Sequence, residues 1–331
     1  MTDPRRKRLE DTLAGRTPDR VPVSAWGHFF TRETSATGMA GAMLDFFRDY
    51  DWDYLKVHAR ASYHVEGWGF TYQPSRDAAV GHVCTNLPVR AAGDWRLLRP
   101  LDPDTPALAE QIEALRLIRA GIGDAVPLIM TVFSPLDIAE KLLDRDAALL
   151  KQHIEEDPAA LEAGLAAISE TFARFVRVLV AEGVDGLFFS TKWANNVKLT
   201  AEQYQRLVKP FDLQVLAEAR SLWCNMLHLC EDQIQLDAMA DYPVQVFHWD
   251  AWAGHNPEYA DGQRRLGRVV GGGVDARTLA DGTPEQIRAK ARATIAANGG
   301  RQLLLGPGCS VQVARTSAAN LRALRQAVEA D

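Results

Sequence analysis

Apolar positions fall into two alternating rhythms along this chain. A helical period marks residues 5–14, 38–49, 106–121, 136–151, 157–182, 200–220, a short stretch at 232–240, and 316–329. A further helix starts at Thr283-Pro284-Glu285, with Thr283 as N-cap and Pro284 in the first turn. Between these stand short, continuously apolar runs at 21–26, 54–58, 127–133, 186–190, 223–230, 244–250, 268–274 and 302–305. Strands of that kind, alternating with helices, predict a parallel sheet covered on its faces. About eight of them suffice to close a (β/α)8 TIM barrel. An open doubly wound sheet is the competing α/β architecture. The barrel is preferred because polar, chemically capable residues end nearly every run, as expected of loops gathered around one mouth. After the second strand comes a polar and aromatic stretch, 60–69, and the segment from there to about Asp104 lacks helical period and predicts an insertion carrying short strands or a hairpin. The expected organisation is one barrel domain over 1–331.

Composition changes this picture little, and mostly by exclusion. The chain has 331 residues, 47% of them hydrophobic and 24% charged, which is ordinary for a globular protein with a sizeable core. A net charge of -6 argues against a nucleic-acid or anionic-membrane surface. No run reaches the ~20 apolar residues that span a bilayer, and the basic start Pro4-Arg5-Arg6-Lys7-Arg8 leads into no secretory core. A cytoplasmic enzyme with small-molecule partners is expected. Four cysteines are too few for a disulfide framework, so reduced thiols or metal ligands are expected.

The chemistry concentrates where the run 223–230 ends in His228-Leu229-Cys230. On a strand, His228 and Cys230 project to one side. With Cys309, which follows Gly306-Pro307-Gly308, they offer one imidazole and two thiolates, a zinc site with three protein ligands and an exchangeable fourth position. The bland alternative is a satisfied core histidine and two small buried thiols. Cys224 shares the face of His228 but lies deeper and reads as core. Asp250 and Asp275 end the next two strands and are candidates for catalysis and substrate binding, although Asp275 also suits an N-cap. Asp250, Glu231 and His248 are possible resting ligands of the metal. His58 and His64 are candidate catalytic groups in a loop crowded with Arg60, Tyr63 and Glu66. Lys56, Arg60, Tyr63 and Lys192 would suit a small carboxylated substrate, with Trp26 and His28 as an aromatic wall. Gly271-Gly272-Gly273 falls inside a strand and is no dinucleotide loop.

The order of elements, with Gly15-Arg16-Thr17-Pro18-Asp19-Arg20-Val21-Pro22, Gly183-Val184-Asp185-Gly186, Leu199-Thr200-Ala201-Glu202, Lys209-Pro210-Phe211, Gly272-Gly273-Val274-Asp275 and Gly306-Pro307-Gly308-Cys309, resembles the uroporphyrinogen decarboxylase superfamily along nearly the whole chain. Two departures bear on the branch. The segment Ser24-Ala25-Trp26-Gly27-His28-Phe29-Phe30 has no arginine where decarboxylases hold substrate carboxylates, and Lys56-Val57-His58-Ala59-Arg60 stands near their substrate-binding aspartate. His228, Cys230 and Cys309 instead match the ligands of the zinc-dependent methylcobamide:thiol methyltransferases. The resemblance therefore implies zinc, a small thiol acceptor activated as its thiolate, and a cobamide as methyl donor. With no Asp-x-His-x-x-Gly segment, that cobamide would arrive free or on a corrinoid protein. The alternative implied is a decarboxylase or zinc-dependent lyase acting on a small carboxylated substrate.

Overall fold

The computed structural model describes residues 3–329. Seven parallel strands form one curled sheet, in the order β1 (Leu55–Val57), β4 (Leu128–Phe133), β5 (Gly186–Thr191), β6 (Met226–Leu229), β7 (Val246–Trp249), β8 (Val269–Val274) and β9 (Leu303–Pro307). The hairpin strands β2 (Thr71–Gln73) and β3 (Val83–Asn86) pair only with each other. The first predicted strand survives as an extended segment with a parallel bridge at Val23 to Leu305. The Leu305 N–H donates to the Pro22 carbonyl and the Asp53 N–H to the Val23 carbonyl, both at 2.9 Å. That segment links β9 back toward β1 and closes the ring.

Alternation along the strands splits the apolar core into two layers. Leu128, Met130 and Val132, like Leu187, Phe189, Leu227 and Leu229, pack outward with the helices. The alternate positions Ile129, Phe188, Met226, Val246 and Leu304 pack inside the ring with Leu9, Trp26 and Cys224. One step further along β4 to β7 the inward residues turn polar, at Thr131, Ser190, His228 and His248. Ser190 pairs with His228 and His228 with His248 in consecutive register rows, above Phe188–Met226 and Met226–Val246. The dry floor and the polar mouth are thus successive layers of one ring.

Helix boundaries differ from the sequence pattern where local chemistry interrupts it. The predicted helix 136–151 is two, Pro135–Leu142 and Ala147–Glu156, because Asp144 and Arg145 adopt positive φ (53° and 70°). The predicted 200–220 helix breaks into Ala201–Leu207 and Lys209–Ala217, with Pro210, which has no N–H to donate, in the first turn of the second. The stretch expected as a helix at 232–240 is a single 3-10 turn, Asp237–Met239. Thr283 caps Pro284–Ala297, accepting from the Gln286 N–H. Among the described residues no helix is long and apolar enough to cross a membrane.

Candidate metal centre

His228 and Cys230 leave the end of β6 toward the barrel interior, and Cys309 follows β9, three strands further round the sheet. The glycine at 308 is required there, because a Cβ would sit 2.5 Å from the Asp250 carboxyl carbon. One ring nitrogen of His228 and the two sulfurs lie within 4.8 Å of one another. The sulfurs are 3.9 Å apart. A hydrogen bond between the thiols pulls Cys309 well below the usual thiol range and pushes Cys230 well above it, so the pair favours one thiolate and one thiol. His228 Nε2 is buried without a hydrogen-bond partner. A buried polar atom is seldom left unpartnered. The orphan nitrogen beside two soft sulfurs therefore fits a zinc ion, which prefers this donor set.

The three donors form one end of a cavity of about 350 Å³, whose wall also includes Trp26, His28, Lys56, His58, His64 and Lys192. The Lys56 amine lies 4.2 Å above the Phe188 ring and 5.4 Å above that of Trp26. Burial draws it down to about 7, while the charge of Cys309 works the other way. Among the described residues its hydrogen-bond partner is His58 Nδ1 at 2.9 Å, which accepts when the lysine is an ammonium. Burial, helped by Lys56 and His28, keeps the His58 ring neutral. His64 is held neutral by burial and by Lys141, Arg145 and Lys192, and its Nδ1 is also unpartnered.

Other expected site residues are engaged elsewhere. Arg60 grips Glu66 with two nitrogens at 2.8 and 2.9 Å and pairs with Glu110, so its guanidinium is neutralised behind the pocket wall. The Tyr63 hydroxyl donates to the Thr131 carbonyl at 2.8 Å, and its ring packs among Phe133, Phe172 and Phe175. Asp275 caps the helix Ala276–Asp281 through the Thr278 N–H and pairs with Lys290. Asp250 accepts from the Trp252 N–H at 2.9 Å and stands against Gly308, beside the three donors but outside their group. Glu231 faces Lys198. His248 bonds to His228 and to Pro307, and so is no ligand in this arrangement.

Sequence reasoning missed Asp137 and His82 on the cavity wall and Glu33 behind it. Asp137 is buried in the first turn after β4 and accepts from the Lys192 N–H, and burial pushes its carboxyl up to about 8. Glu33 is pushed up by burial, but His28 at 2.9 Å and His82 at 3.4 Å more than offset this and hold it at about 2. Its spacing from His28 was a readable signal, whereas His82 arrives from the β2–β3 hairpin and had none.

The family model for "Uroporphyrinogen decarboxylase (URO-D)" matches residues 4–330. The uroporphyrinogen decarboxylase of Frankia casuarinae is 34% identical over 145 residues, covering 42% of this chain and 37% of that protein. The one from Mycolicibacterium smegmatis is 28% identical over 216 residues, 62% of this chain and 58% of that protein. The matched stretches thus span between about a third and three fifths of these relatives. Among solved structures, a methyltransferase from Methanosarcina mazei superposes with a TM-score of 0.80 at 19% identity, over 98% of this chain and 97% of its own. A B12-independent methionine synthase from Shewanella sp. W3-18-1 gives 0.58 at 13% identity, over 92% and 96%.

Proposed function

We propose that this chain, which belongs to the uroporphyrinogen decarboxylase family, is a zinc-dependent methyl or alkyl transferase with a small thiol as acceptor. The observation that carries the reading is the convergence of His228, Cys230 and Cys309, with an unpartnered imidazole nitrogen aimed among the sulfurs. A zinc ion on these residues supplies an exchangeable position at which a thiol loses its proton near neutral pH. Trp26 and Phe188 make the adjoining wall apolar and keep water away from the sulfurs. Lys56, poised at about 7, exchanges a proton at Nζ in the neutral range, with His58 Nδ1 as its neighbour. His64 and Lys192, with Lys141 and Arg145, line the part of the cavity suited to a carboxylate on the substrate. The proposed methyl donor is a cobamide, free or carried by a corrinoid protein. The fold neighbours, one titled a methyltransferase and one a methionine synthase, agree with a barrel used for methyl transfer.

A second reading, decarboxylation of a small carboxylated substrate, is favoured by the names of the sequence relatives. One assay separates the two. Purified chain is offered a panel of small thiols with methylcobalamin, with and without a zinc chelator. Thioether formation that stops on chelation supports transfer, and metal-independent release of CO2 from a porphyrinogen or a smaller acid sinks it.

A further inference from the structure

His248 of β7 stands beside His228 in the register of the sheet and is given no part in the three-donor site. Both of its ring nitrogens are committed. Nε2 lies 2.9 Å from the carbonyl oxygen of Pro307. That oxygen has no hydrogen to offer, so Nε2 carries one and donates. The ring is buried against Trp26 and Phe188 and neither of its hydrogen-bond partners is an anion, so it carries the single proton of a neutral imidazole. Its Nδ1 is then bare and only accepts. The partner 2.8 Å away is Nδ1 of His228, which must supply the hydrogen. A neutral His228 protonated at Nδ1 keeps its lone pair on Nε2, the buried nitrogen without a partner.

We infer that His248 is a positioning residue that fixes His228 in the Nδ1–H tautomer and so presents Nε2 as a metal ligand. The inference rests on the zinc reading above. The polarity of the whole series starts at a backbone carbonyl only two residues before Cys309. One hydrogen-bonded line thus ties together β6, β7 and the end of β9, the elements that carry or orient all three donors. A displacement of the 307–309 segment would disturb the histidine ligand along with the cysteine. Ligating histidines commonly give their second N–H to a carboxylate or a carbonyl. Here a second imidazole stands between, and a glycine makes room for it: a Cβ at Gly271 would come within 3.0 Å of the His248 ring.

Two measurements test this. In metal-free, 15N-histidine-labelled chain, the His228 ring should show a protonated Nδ1 and a bare Nε2, and the opposite pattern overturns the inference without any variant having to fold. Zinc affinity is then measured by competition with a chromophoric chelator. His248→Phe should weaken it by about 10–100-fold. His248→Asn, whose amide oxygen stands near the place of Nδ1, should recover most of the loss and restore the cobalt(II) absorption spectrum that His248→Phe alters. Equal affinity and equal spectra in all three chains overturn the role. A wild-type chain that refuses zinc sinks the metal reading and the role with it. That result is distinguishable from a failure of the tautomer argument, because the ring signals are read without metal.

Discussion

Cys224 and Cys230 flank the same short strand, yet only one of them has a second thiol and an imidazole beside it. Cys224 is fully buried among Tyr54, Phe188, Met226 and Val246 on the barrel floor, where burial pushes its thiol far up and leaves it protonated. Cys230 stands at the mouth with Cys309 3.9 Å away and the unpartnered His228 nitrogen nearby. Strand geometry places the two thiols on one face; only the height in the barrel differs. Reactivity in this ring is therefore set by layer more than by residue type. A thiol on the floor is a small hydrophobe, and at the mouth it is a donor with company.

The largest expected effect comes from removing a donor at the mouth. Cys309→Ser should take the zinc content of purified chain from about one per chain to near none, read by elemental analysis, with little change in the far-UV spectrum. Lys56, also on the inner face, tests the boundary between the layers through pH. Its folded pKa of about 7 lies below the unfolded value of 10.5. Between those values the unfolded state binds more protons, so this group makes stability rise with pH from about 7 to 10.5. Below pH 7 both states are protonated and the burial cost is fully present. Lys56→Met should therefore raise the thermal midpoint at pH 6 by the equivalent of ~1–3 kcal/mol, with the gain fading toward pH 10, while transfer activity is lost. Floor chemistry should respond in the opposite way to the mouth. Cys224→Ser puts a hydroxyl among apolar side chains and should cost ~1–3 kcal/mol in denaturant unfolding with zinc content unchanged.

How far the sequence reached follows the same division. Continuous apolar runs made the strands legible, and alternation within one of them the shared face of His228 and Cys230, because both need only neighbours along one run. Groups whose roles depend on distant partners were not legible. Arg60 looks free in the sequence and is captured by Glu66 and by Glu110 from a separate helix. His248 reads from the sequence as a possible resting ligand, whereas its ring is taken up by His228 and the Pro307 carbonyl. Helix breaks at Asp144 and Arg145 were hidden for another reason, since positive φ in non-glycine residues has only a weak sequence signal. For Asp275 the local reading as an N-cap, visible from the residues that follow it, describes the contacts it makes. The smallest effect follows from that: Asp275→Ala should cost about 1 kcal/mol of stability through the lost cap and leave metal binding unaltered.

The central claim is the ligand set, and X-ray absorption at the zinc edge of the wild-type chain addresses it most directly. Two sulfur neighbours at ~2.3 Å with one imidazole nitrogen at ~2.0–2.1 Å and one further light atom are expected. A metal surrounded only by nitrogen and oxygen, or a chain that takes up no zinc, would contradict it.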